Sequence, residues 1–220
     1  MRERLTSGKA TASALSAGAP AIAVVLAAAL VIGQTAPLPP PGQRDVRVSI
    51  VTTLGTIEAE IDVARAPITA ANFLKYVDAG LFDGGVVNRA VRADNTVRHD
   101  VRIEVIQFQT NPARRSEEFA PIPLERTNAT GLAHLDGTLS MARSAPDIAT
   151  GSFSIVIGDQ PEMNHGGKRN PDGQGFAAFG RVVRGMDVVR AIQRSPTGQQ
   201  GAYGTETLEP PIKVLQVIRH

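Results

Sequence analysis

Hydrophobic and polar positions alternate twice near residue 50. Val46, Val48 and Ile50 are interleaved with Arg47 and Ser49, and Ile57, Ala59 and Ile61 with Glu58, Glu60 and Asp62. A period of two marks half-buried strands, and Leu54-Gly55 between them predicts a hairpin. The period then lengthens. In APITAANFLKYVDAG, Ala70, Phe73, Tyr76 and Val77 recur at helical spacing, with Thr69 expected as the N-cap and Gly80 as the C-cap. Beyond the helix lie short apolar stretches separated by turn residues: VVNRAV, VRIEVIQF, GTLSMAR, SFSIVIG and FAAFGRVV. Gly185, Asp187, Val188, Val189 and Ile192 signal a second short helix, and IKVLQVIRH closes the chain as a strand. Many short strands at close spacing predict a sandwich or a closed barrel, and two helices among about eight strands fit a barrel capped at its ends.

The N-terminus follows neither period. From Ala10 to Gln43 there is no charged residue, and AGAPAIAVVLAAALVIG forms an apolar run just after Arg2, Arg4 and Lys9. A positive flank followed by such a run is read as a cleavable signal or as a membrane anchor. Its core, roughly Ala17 to Ile32, is slightly short of the ~20 residues a spanning helix needs, and reaches that length only if Ala12 to Ser16 are included. A buried helix of the main domain is the remaining alternative. Pro37, Pro39, Pro40, Pro41 and Gly42 then make a stiff spacer. The expected organisation is therefore a signal or anchor at 1–36, a Pro-rich linker at 37–45 and a domain at 46–220. The domain is expected outside the cytoplasm, held to the membrane by its N-terminal segment if that is not cleaved.

Charge narrows the class of partner. The chain has 23 Lys and Arg against 21 Asp and Glu, and its first 36 residues hold three basic residues and one acidic, which leaves 20 of each in the remainder. A balanced domain gives nucleic acid or an acidic membrane no electrostatic footing. With no Cys there is no disulfide, thiolate metal site or cysteine nucleophile, and aromatics at 4% without Trp argue against a base-stacking platform. His99, His134, His165 and His220 lack metal-ligand spacing, so no metal is expected. HGGKRNPDGQG lacks the strand-before, helix-after setting of a phosphate loop and reads as a surface hairpin beside whatever groove the domain carries.

The order of these pieces resembles the cyclophilin family of peptidyl-prolyl isomerases from about Val46 to His220. The blocks that carry the resemblance are APITAANF, GTLSMARSAPDIATGSFSIVIGD and GFAAFGRVVRGMDVV. It implies a mainly β fold, a closed eight-stranded antiparallel barrel capped by two helices, that binds an Xaa-Pro segment in a surface groove without a cofactor. The family's Phe-His-Arg motif falls on Val87-Asn88-Arg89, so the resemblance makes Arg89 the catalytic donor; a solvated strand arginine is the alternative. Gln107 takes the place of a glutamine that holds substrate backbone and the arginine, while Phe108 and Gln109 stand where two glycines are usual. Val105 is implied as a wall of the proline pocket or as core, and Arg143 and Ser144 as the stretch whose backbone pairs with substrate. Met163 and Phe176 match pocket positions held elsewhere by Leu and by His or Tyr, with a plain core role as the alternative. The main departure is Phe153-Ser154, where two adjacent phenylalanines are usual and the second floors the proline pocket.

The chemistry fits that set of residues. An Xaa-Pro amide is nearly balanced between cis and trans, but resonance raises a barrier of ~18–20 kcal/mol to rotation. A guanidinium donating to the prolyl nitrogen favours a pyramidal nitrogen with a localised lone pair, and an apolar pocket fixes the ring. Two main readings follow: an isomerase acting on proline-containing segments of exported proteins, or a peptide-binding module that keeps the groove and has lost catalysis, motivated by Ser154, Asn88 and Phe108-Gln109. A purely structural envelope protein is a third.

Overall fold

The alternation around residue 50 becomes β1 (Val46–Thr52) and β2 (Gly55–Ile61), paired antiparallel from Val46 against Ile61 to Thr52 against Gly55. They belong to a computed structural model in which residues 45–220 are described; the expected signal or anchor and the spacer up to residue 44 lie outside the described residues. The other strands are β3 (Val86–Val91), β4 (Val105–Gln109), β5 (Thr138–Met141), β6 (Phe153–Val156), β7 (Ala177–Arg184) and β8 (Thr207–Arg219). They close in the order β1-β2-β7-β5-β6-β4-β3-β8, every neighbour antiparallel, so the sandwich alternative falls away. Closure leaves no edge strand open to pairing with another chain.

The barrel is filled from its inward-facing positions. Five of the seven phenylalanines, Phe73, Phe82, Phe108, Phe153 and Phe179, are at most 1% exposed. Phe153 lies at their centre, stacked on Phe108 at 4.6 Å and edge-on to Phe73 and Phe82 at 5.2 and 5.4 Å. The few rings this sequence has are therefore concentrated inside the barrel.

Helix α1 (Pro67–Asp78) packs on β7 and β8, a four-residue turn α2 (Thr127–Thr130) follows β4, and α3 (Met186–Gln193) packs on β2, β3 and β4. The expected N-cap is corrected. Pro67 occupies the first turn, where its missing N–H costs nothing, so Thr69 lies inside the helix, and its buried Oγ1 finds no partner among the described residues. Glu125 takes the capping role from outside: its carboxylate accepts from the backbone N–H groups of Ile68 at 3.0 Å and Thr69 at 2.7 Å. At the other end Ala79 is the C-cap and Gly80 follows it at φ +62°, with Gly80 N–H donating to Val77 and Leu81 N–H to Tyr76. That is the Schellman pattern, which requires the left-handed residue glycine supplies. Glu125→Ala is expected to lower stability by about 1 kcal/mol in urea unfolding.

VRIEVIQF forms a shorter strand than its pattern predicts, since only Val105 onward enters the ladder. Val101 and Ile103 are buried outside it, and Arg169 Nη1 takes up the Val101 carbonyl at 2.9 Å.

Candidate active site

Strand register assembles the site. Across the outer face of the barrel Arg89 on β3 opposes Gln107 on β4, Gln107 opposes Ser154 on β6, and Ser154 opposes Ser140 on β5. On the inner face the neighbouring pairs are Val87 with Phe108 and Phe108 with Phe153. Strict alternation would put Val87 and Arg89 on the same side. The register shifts between them against both β4 and β8, making Asn88 a bulge residue that turns Arg89 outward. Asn88 Oδ1 is left buried with no partner among the described residues.

This row forms the floor of a cavity of about 500 Å³, and all eight residues singled out from the sequence line it: Arg89, Val105, Gln107, Arg143, Ser144, Ser154, Met163 and Phe176. Val105 belongs to a small apolar cluster outside the barrel, with Ile103, Val91, Val156 and Met163, and Phe176 packs against it. Ile103, Val105, Met163 and Phe176 of this cluster line the cavity as its apolar wall. The Phe176 N–H donates to the Met163 carbonyl at 2.9 Å. Arg143 is held away from the opening: Nε donates to Gly175 O at 2.7 Å, Nη1 and Nη2 grip Asp172 at 2.8 and 2.9 Å, and the guanidinium stands 5.4 Å from the Phe176 ring centre. Those hydrogen bonds hold the Asp172 carboxyl down at about 2. Ser154 is 7% exposed and lines the cavity.

Arg89 is fixed on three sides. Nε and Nη2 donate to Glu206 Oε2 at 2.8 and 2.6 Å, Nη1 donates to Gln107 Oε1 at 3.2 Å, and the Tyr203 ring centre lies 4.8 Å from the guanidinium carbon. Gln107 is oriented in turn, its Nε2 donating to Tyr203 Oη at 3.5 Å, and Gln109 Nε2 donates to the same oxygen at 3.0 Å. Three of the five guanidinium N–H groups are engaged, which leaves two for a ligand. Glu206 is fully buried and also accepts from the Val97 N–H at 3.1 Å. Burial pushes its carboxyl up, but the Arg89 charge and the hydrogen bonds of Arg89, Val97 and Thr96 outweigh that, so it sits below its ordinary value.

Beneath the row is a buried histidine. His134, 1% exposed, has Nδ1 2.8 Å from Asn164 Oδ1 and Nε2 2.9 Å from Ser140 Oγ. The Asn164 oxygen also accepts from the His134 backbone N–H, which fixes the amide orientation and makes Nδ1 the protonated nitrogen. Nε2 therefore accepts the Ser140 hydroxyl. Burial, only partly opposed by the Asn164 contact, brings the imidazole down to about 4.

A family model described as cyclophilin type peptidyl-prolyl cis-trans isomerase/CLD matches residues 47–218. The chain belongs to the cyclophilin-type peptidyl-prolyl cis-trans isomerases. A peptidyl-prolyl cis-trans isomerase of Acinetobacter baylyi is 33% identical over 171 residues, 77% of this chain and 83% of that protein. One from Streptomyces antibioticus is 36% identical, covering 75% of this chain and 93% of its own. Among solved structures, a Cryptosporidium parvum cyclophilin type isomerase superposes with a TM-score of 0.59 at 16% identity, over 80% of this chain and 98% of that one. The same protein, solved in the presence of the dipeptide Ala-Pro, gives 0.58 at 17%, over 79% and 98%. At those identities the structures establish the fold.

Sequence reasoning missed Tyr203 and Arg169, which line this cyclophilin's groove, and Glu206, which holds Arg89 from outside the lining. Tyr203 and Glu206 come from the stretch between α3 and β8, where no periodicity marks a position. Arg169 sits in the Gly-rich segment taken for a surface hairpin, yet it is 8% exposed and lines the cavity.

Proposed function

We propose that the groove isomerises Xaa-Pro bonds with Arg89 as the donor to the prolyl nitrogen. A hydrogen bond at that nitrogen localises its lone pair and weakens the resonance that holds the amide planar. Gln107 steadies the guanidinium and the substrate backbone. Val105, Met163 and Phe176 hold the proline ring, and the chain at Arg143-Ser144 pairs with the peptide as an added strand. The observation that carries the reading is the placement of Arg89: a guanidinium fixed by Glu206, Gln107 and Tyr203, with two N–H groups free, beside an apolar wall. No proton transfer, nucleophile or metal enters the reaction so written.

The site of action is proposed from the apolar segment after Arg2, Arg4 and Lys9. It directs the domain across the cytoplasmic membrane as a signal or an anchor, where the clients are exported proteins whose folding waits on proline isomerisation.

The test is turnover of an Xaa-Pro peptide by the purified protein, compared with Ser154→Phe. Replacing the hydroxymethyl by a ring restores apolar contact of roughly 1–3 kcal/mol, so kcat/KM is expected to rise about tenfold. A wild-type rate no higher than the uncatalysed one overturns the reading. If the wild-type rate does not exceed the uncatalysed one, Ser154→Phe brings no response and extended peptides still bind, the protein is a peptide-binding module instead, the reading that Ser154 at the groove floor favours.

A further inference from the structure

The cavity wall carries four arginines, Arg89, Arg98, Arg143 and Arg169, and no aspartate or glutamate. The domain around it has equal numbers of acidic and basic residues, so this asymmetry is local. Three of the four are balanced from outside the lining: Arg89 by Glu206, Arg98 by Asp100 and Arg143 by Asp172. Arg169 is different. Among the described residues it has no carboxylate partner, and its side chain makes one hydrogen bond, from Nη1 to the Val101 carbonyl. It is nonetheless more than nine-tenths buried. Burial first, then repulsion from Arg89 and Arg98, pulls the guanidinium below its ordinary value against the opposing pull of Glu206 and Asp100.

A desolvated cation without a partner is unfavourable in the free protein and is relieved by any anion that reaches it. The site is also polar enough to take one, since Ser154 and Ser140 floor the groove where an aromatic ring would exclude a hydrated group. We propose that the groove selects peptide segments bearing an acidic side chain close to the proline, with Arg169 receiving the carboxylate through its uncommitted N–H groups. This rests on the isomerase reading and names its substrate class. It gives the loop 164–175 a role in selection: Arg169 is held at the groove by its bond to Val101 and by Arg98 Nη1, which donates to the Arg169 carbonyl at 2.6 Å.

The experiment uses the full-length protein and Xaa-Pro peptides blocked at both ends, so that a side chain supplies the only carboxylate. Glu, Gln or Lys is placed in turn at each of the two positions on either side of the proline. At one of these positions Glu is expected to exceed Gln by about tenfold in kcat/KM at low salt, as a charge-assisted hydrogen bond gives, with Lys below Gln. Salt should shrink that ratio, because screening acts on the charge and not on the fit of the ring. In Arg169→Met the Glu-to-Gln ratio should fall close to one, and in Arg169→Lys it should survive in part. A purely bracing role for Arg169 would lower all peptides together and leave the ratio intact. The proposal is overturned if no position prefers Glu, or if the preference persists in Arg169→Met. Should that variant fail to fold, the wild-type ratios and their salt dependence decide alone. If no peptide is turned over, the isomerase reading falls, and the Glu-to-Gln ratio of peptide affinities, measured by fluorescence anisotropy, still tests the charge preference.

Discussion

Arg89→Ala is expected to lower kcat/KM for an Xaa-Pro peptide by about 10²–10³-fold, the loss typical when a single donor aimed at a transition state is removed. The same substitution strands Glu206, which is fully buried and whose Oε2 takes both of its closest hydrogen bonds from that guanidinium. Breaking a buried pair by deleting one partner costs about 3–5 kcal/mol. Lost activity in Arg89→Ala alone would therefore mix chemistry with unfolding. The double variant Arg89→Met with Glu206→Leu separates them, because replacing both charges by apolar groups of similar volume is often neutral. Its urea midpoint should return towards wild type while kcat/KM stays low. A double variant that is folded and turns over near the wild-type rate would remove Arg89 from the reaction and leave the groove to act by binding alone.

The same pair of residues marks where sequence reasoning stops. Alternation in β1 and β2, the helical spacing of Phe73, Tyr76 and Val77 and the terminal glycine of α1 were all legible, because each is a local repeat with a local cause. Closure of the barrel was not separable from a sandwich by pattern, since inward and outward alternation is the same in both; the family resemblance decided it. The bulge at Asn88 was invisible for a related reason. Nothing in VVNRAV says that one residue is extra, and without it Arg89 would face the barrel interior. Thr69 misled because its residue type suits a cap while Pro67 already fixes the start of the helix, and the capping carboxylate comes from Glu125, far along the chain. Glu206 and Arg169 are long-range partners in irregular segments, so only the folded chain brings them to the groove. Ser154 lines the groove at the position where the resemblance implies a ring, while five of seven phenylalanines are committed to the barrel interior and Phe176 and Tyr203 are rings that reach the groove.

His134 is expected to make the protein sensitive to mild acid. Its ring is buried and neutral, with a folded-state value of about 4 against 6.5 for an ordinary histidine, and burial is the leading cause with no charged neighbour contributing. The unfolded chain therefore takes up the proton first. As pH falls from about 6.5 to about 4 the unfolded state is progressively favoured, and stability should drop by about 3 kcal/mol across that window before levelling off with respect to this group. Carboxylates also weaken the fold at low pH, so the measurement is a difference: urea midpoints against pH for the wild type and for His134→Gln, whose curve should lack the loss between 6.5 and 4. Proton NMR of the wild-type imidazole gives an independent reading. An ordinary titration near 6.5 with the fold intact would show that burial does not control the group. The consequence reaches the groove, because Nε2 is the acceptor that holds the Ser140 hydroxyl, and Ser140 ends the row that runs through Ser154 and Gln107 to Arg89. Protonation of Nε2 replaces that acceptor with a donor. The hydroxyl must then turn, so the activity of the folded protein is expected to hold while the ring stays neutral and to fall only as pH approaches about 4, at the lower end of the window over which stability is lost.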